Sequence, residues 1–147
     1  MPAGQPEAPN DPSIKSGNSL DVIDAGQKTN LIIEVTRAFQ VVMEFELDGG
    51  FANTLVAAPM SFTVTYYYDE LGGANEGVLG TVTKNTQAGQ LKYNATTPAG
   101  SETVLNVAAG ALPVGTYRLN SRVTFKLGAA TVPLFAFTDG PVIDIVP

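Results

Sequence analysis

From Ser19 onward the chain alternates apolar and polar residues with a period of two, the spacing of a strand with one buried face. The clearest run sets Phe39, Val41, Met43, Phe45 and Leu47 on one side, with Gln40, Glu44, Glu46 and Asp48 on the other; Val42 alone breaks it. Leu31, Ile33 and Val35 form a β-branched run just upstream. A helix through residues 28–47 competes, because Leu31, Val35, Phe39 and Val42 also fit a spacing of three to four. Strands win on the density of β-branched and aromatic residues, and Asp48-Gly49-Gly50 closes the run as a turn would.

The same pattern recurs at short intervals. Phe62, Val64, Tyr66 and Tyr68 alternate with Thr63, Thr65 and Tyr67 and stop at Asp69-Glu70-Leu71-Gly72-Gly73. Residues 78–83 and 91–96 read as shorter, more polar strands. Thr103, Leu105 and Val107 follow, then Tyr117, Leu119, Ser121, Val123 and Phe125. A Gly128-Ala129-Ala130 turn leads into residues 131–137, and 142–146 close the chain after an Asp139-Gly140-Pro141 turn. Eight or nine strands with turn signals every ~8–12 residues predict an all-β, antiparallel two-sheet sandwich over residues 19–147.

The stretch Leu112-Pro113-Val114-Gly115-Thr116-Tyr117-Arg118-Leu119 resembles the turn before strand F of immunoglobulin-like domains. A tyrosine hydroxyl there ties the corner to upstream backbone. The resemblance implies that Tyr117 is that tyrosine and that Leu119 stands where the second cysteine of antibody domains stands. It covers the fold alone: the chain has no cysteine and no tryptophan, and a fold does not by itself assign a ligand or an activity.

Ahead of the sandwich, residues 1–18 form a Pro-rich arm. Pro2, Pro6, Pro9 and Pro12 prevent helix and favour an extended, polyproline-like segment. With apolar anchors only at Met1 and Ile14, such an arm is expected to contact another chain. It has no basic stretch followed by an apolar one, so it does not read as a secretory signal. The expectation is a cytoplasmic protein, with extracellular assembly left open.

Composition narrows the function classes. Only 15% of the 147 residues are charged, against ~25% in soluble domains, so the surface is unusually neutral. Net charge is −6 and the eight Lys and Arg are dispersed, which argues against nucleic acid and against an anionic membrane surface. No apolar stretch reaches the ~18 residues of a spanning helix. The absence of His and Cys removes the commonest general base, the thiolate nucleophile and the usual zinc ligands. No cofactor is expected.

What remains for chemistry is carboxylates. Glu44, Glu46 and Asp48 share one strand face at steps of ~7 Å, the separation of an inverting glycosidase pair. Their simpler role is to keep an outer sheet face wet. Asp21, Asp24, Asp69, Glu70, Asp139 and Asp144 sit near turns, where a hard cation is sometimes held, but none matches an EF-hand loop and Asp beside Gly is ordinary turn chemistry. Tyr66-Tyr67-Tyr68 would make an aromatic platform only if more than one ring faced out, and alternation leaves Tyr67 outward alone. Asn94-Ala95-Thr96 fits a glycosylation sequon. No Gly-x-Ser-x-Gly or Ser-x-x-Lys motif occurs. No residue is therefore assigned a catalytic, cofactor or metal role.

The runs 78–83 and 131–137 contain no charged residue, whereas exposed edge strands normally carry charge to block pairing with other chains. The expectation is a non-enzymatic subunit that joins a homomeric or heteromeric assembly through edge strands and the arm. The alternative is a recognition or adhesion module that binds a glycan or protein through loops 49–59 and 71–77.

Overall fold

A computed structural model describes residues 13–15, 19–24 and 31–147. Ten strands and one helix fill these segments. Of the expected arm only Ser13–Lys15 is among them; the remainder of residues 1–18 lies outside the described residues.

Strand β4 (Phe39–Asp48) is the spine of the first sheet and carries the alternation seen in the sequence, with Phe39, Val41, Met43, Phe45 and Leu47 all buried. Along one side it pairs antiparallel with β1 (Ser13–Ile14) and β2 (Ser19–Asp24). Along the other it pairs with β7 (Lys92–Tyr93) and β8 (Leu105–Val107). The second sheet has the order β3-β10-β9-β5-β6. Its members are β3 (Ile32–Glu34), β5 (Ser61–Glu70), β6 (Glu76–Asn85), β9 (Gly115–Leu127) and β10 (Ala130–Val146). All its pairings are antiparallel except β3 with β10. Phe45 from the first sheet meets Phe62 and Phe125 of the second edge-on at 5.4 and 5.6 Å, and stacks on Tyr93 at 5.3 Å. That aromatic knot is the centre of the core.

The row β10-β9-β5-β6 runs in the order of strands G-F-C-C′ of variable-type immunoglobulin domains. The corner ahead of β9 agrees: Tyr117 is fully buried and its hydroxyl donates to the Pro113 carbonyl at 2.8 Å. The fold is an immunoglobulin-like sandwich.

Three local expectations are corrected. Residues 50–57 are helix α1 (Gly50–Ala57), not loop; Ala52, Leu55 and Val56 recur at helical spacing and are buried, a signal masked by the Gly pair before them. Residues 131–137 and 142–146 belong to the one strand β10, because Gly140-Pro141 produces a register shift between Asp139 and Val142 instead of a turn. A Cβ on Gly140 would lie 2.3 Å from Leu20 and 2.7 Å from the Leu119 carbonyl oxygen, so the strand passes where only glycine fits. The strand expected over 91–96 shrinks to β7.

That shortening leaves a gap between β7 and β8 opposite Met43. The missing ladder bonds are replaced by side chains: the Met43 N–H donates to the Tyr66 hydroxyl at 2.9 Å, and the Thr103 hydroxyl donates to the Met43 carbonyl. Tyr66 in turn donates to the Thr103 carbonyl. Tyr66 comes from β5, so this knot also ties one sheet to the other. Burial pushes the Tyr66 hydroxyl up to about 12, against the opposing pull of its hydrogen bonds to Met43 and Thr103.

Candidate functional site

The carboxylate ladder of β4 faces outward and is occupied by ordinary partners. Glu44 lies 3.3 Å from Lys92 and accepts from the Asn94 amide at 3.2 Å. Glu46 pairs with Lys15 at 3.1 Å, and Asp48 accepts from the Gly49 N–H at 2.9 Å. The three side chains hold down neighbouring segments. The other acids stay dispersed: Asp21 and Asp24 lie along β2, Asp69 stands opposite Arg118, Asp139 opposite Asn120, and Asp144 accepts from the Thr116 hydroxyl at 2.7 Å. Among the described residues no three carboxylates converge. Asn94 anchors a turn by accepting from the Thr96 N–H at 2.8 Å and the Thr96 hydroxyl at 3.0 Å.

The feature that sequence reasoning missed is the outer face of the second sheet. Alternation within β5 turns Tyr66 into the core and leaves Tyr67 outward, as expected, but Tyr67 is not alone. Strand register sets Asn120 of β9 beside Tyr67, with Asp139 of β10 beyond it. The adjoining row reads Thr65, Arg122, Phe137, and the next Thr63, Thr124, Phe135. Phe135 and Phe137 are 66% and 61% exposed, and Val78 of β6 is 55% exposed opposite Tyr67. The Arg122 guanidinium lies between the Tyr67 and Phe137 rings, 5.9 and 6.0 Å from their centroids. It forms no ion pair among the described residues, and its Nε is shielded without a hydrogen-bond partner. Two outward phenylalanines two strands away complete a platform that no single-strand pattern could show.

A shallow concavity of about 630 Å³ opens on this face, bordered by Tyr67, Tyr68, Asn120 and Phe137 and, at the turn end, by Asp69 and Glu76. Toward β6 the face is a neutral strip of Thr63, Thr65, Thr81 and Thr83, with the Thr63 and Thr83 hydroxyls 3.0 Å apart. One half is therefore aromatic and the other polar but uncharged.

Both uncharged runs do lie at edges among the described residues. β6 ends its sheet, and β3 covers only Asp144–Val146 of β10, so residues 131–137 have no strand on their far side. Each edge is guarded by means other than exposed charge. β6 carries a register shift opposite Tyr66 and Tyr67, and Lys84 occupies the inward row opposite Phe62. β10 carries Pro133, which has no N–H to offer, within a second shift between Val132 and Phe135. Bulges, inward charge and edge proline are recognised obstacles to edge-to-edge pairing.

No protein-family model matches the chain, and no curated protein matches it. Its structure is similar to a solved structure described as an immunoglobulin-like protein from Pseudomonas aeruginosa, with 9% sequence identity and a TM-score of 0.40, over 92% of this chain and 100% of that one.

Proposed function

We propose that this protein is a non-enzymatic interaction subunit that self-assembles through the outer face of its five-stranded sheet. The observation that carries the reading is the pair Phe135 and Phe137, both over 60% exposed, beside an Arg122 that has no ionic partner among the described residues. Aromatic residues and arginine are the groups most often found at the energetic centre of protein interfaces. At this level the face spans four strands at ~4.8 Å spacing and about six residues of strand length, a footprint of roughly 400 Å² before side-chain relief is counted. That is about half of the ~800 Å² per partner of a standard interface. The guarded edges favour the face over edge-strand addition as the contact surface.

The recognition-module alternative keeps one feature, the concavity beside turn 71–77. Its other supposed loop, 49–59, contains helix α1, three of whose eight residues are buried in the core. Sedimentation equilibrium of the wild type and of Phe135→Ser/Phe137→Ser tests the reading. Assembly that weakens at least ~tenfold in the variant, the loss of one strong contact, is expected. A variant that associates like the wild type overturns it.

A further inference from the structure

Resting on that reading, we infer that the face meets a second copy of this chain about a two-fold axis running along the strands between β9 and β5, with Arg118 of each copy against Asp69 of the other. Strand register sets the outward side chains in rows across β10, β9, β5 and β6. Phe135 and Phe137 of β10, 66% and 61% exposed, head two rows that end on Thr83 and Thr81 of β6. The row at the turn end sets Arg118 of β9 beside Asp69 of β5 and Glu76 of β6. The two halves of the face thus differ in bulk, and its middle strands differ in charge.

Rotation about that axis lays β9 on the partner's β5 and β10 on the partner's β6. Phe137 then sits over the partner's Thr81 and Phe135 over its Thr83, large on small, which lets two sheets close to their usual ~10 Å separation. Arg122 comes over the partner's Thr65, whose hydroxyl accepts hydrogen bonds, and Arg118 comes over its Asp69. The same patch serves both copies, so every contact occurs twice and the assembly closes at two chains. An axis across the strands would instead lay each strand on its own counterpart. Phenylalanine would then meet phenylalanine and threonine would meet threonine, which splays one side of the contact and leaves a void at the other. It would also set no acid directly over either arginine, because the outward column of β9 contains none.

Charge supports the same choice. Arg118, Asp69 and Glu76 form no ion pair among the described residues, although Arg118 and Asp69 are register partners. Asp69 and Glu76 stand directly opposite each other on adjacent strands, an arrangement of like charges that costs stability. The partner's Arg118 brings these two carboxylates a second cation. Complementary charge of this kind fixes orientation more than it adds affinity, while the phenylalanines supply the burial. With a footprint about half the standard size, the dimer belongs at the weak end of specific interfaces.

Sedimentation equilibrium in ~0.15 M salt, where distant charges are screened, tests the pairing. The samples are the wild type, Arg118→Asp, Asp69→Arg and an equimolar mixture of the two variants. Both positions are exposed, and circular dichroism checks that each variant is folded. The wild type is expected to reach two copies and no more. Each variant alone opposes like charges at both pairs and is expected to dissociate at least ~tenfold more readily. The mixture is expected to recover, because a dimer of one Arg118→Asp copy and one Asp69→Arg copy again sets an acid against a base at both pairs. If the mixture associates no better than the separate variants, or the wild type grows beyond two copies, the two-fold pairing falls. The face reading then still stands if Phe135→Ser/Phe137→Ser weakens assembly. If the wild type stays monomeric at millimolar concentration, both fall.

Discussion

Replacing Tyr66 by Phe removes one oxygen from a site that is 1% exposed, and the consequences follow from the three bonds around it. The Met43 N–H loses its acceptor and the Thr103 carbonyl loses its donor, both in the gap between β7 and β8 where no strand can substitute. A buried donor left without a partner costs about 1–3 kcal/mol, and the Thr103 carbonyl adds to that, so about 2–3 kcal/mol is expected. The measurement is urea unfolding by linear extrapolation, with Thr103→Val and the double variant closing a cycle. Members of one hydrogen-bonded knot should couple by ~1 kcal/mol or more. The hydroxyl adds a second signature. Its raised pKa of about 12 means the folded state holds the proton after the unfolded chain has released it near 10. Its contribution is therefore fully present below pH 10 and is lost as pH rises from 10 toward 12, amounting to about 2–3 kcal/mol at the upper limit. Tyr66→Phe should flatten that alkaline decline. A loss below ~0.5 kcal/mol together with an unchanged alkaline limb would show that the gap is satisfied in another way.

Other substitutions separate further claims. Tyr117→Phe removes the bond to Pro113 and should cost ~1 kcal/mol in chemical denaturation, with no change in secondary structure by circular dichroism. Glu44→Gln/Glu46→Gln/Asp48→Asn breaks two exposed ion pairs and should move stability by under ~1 kcal/mol per pair; a hydrolytic activity lost in that folded variant would reinstate the ladder as chemistry. Gly140→Ala places a Cβ against Leu20 and the Leu119 carbonyl, and thermal unfolding should report a loss of about 1–3 kcal/mol.

What could be read from the sequence was what one strand can show by itself. The five inward residues of β4 and the bounds of that strand follow from period-two alternation, because one buried face imposes it. Tyr117 was legible because its corner is local: donor and acceptor are four residues apart. The Met43 gap was not legible, since it depends on three segments separated by 23 to 60 residues. Helix α1 was missed although Ala52, Leu55 and Val56 show the spacing, because Gly49-Gly50 reads as a turn and eight residues are too few for periodicity to prevail. In the sequence, Asp139-Gly140-Pro141 reads as a turn for a similar reason. The same residues serve equally for a bulge, and only the neighbouring strand decides between them.

The outer face shows most clearly why function was harder to read than fold. Arg122, Tyr67 and Phe137 lie on three strands, and each is unremarkable in its own run. Together they place an aromatic surface around a cation, beside a strip of Thr63, Thr65, Thr81 and Thr83 toward β6, with Asp69, Arg118 and Asp139 at the end of the face. Threonine suits this position for two reasons: its branched carbon favours the strand, and its hydroxyl is content either in water or against a partner's backbone. A strip built only to stay wet would carry charge, as β4 does with Glu44 and Glu46. A face built only to be buried would not keep a guanidinium. The neutral strip and the aromatic half therefore fit intermittent burial against another chain. The bulge and inward Lys84 of β6, and Pro133 in β10, hinder pairing along those two edges. That favours the face over these edges as the contact surface of the proposed assembly.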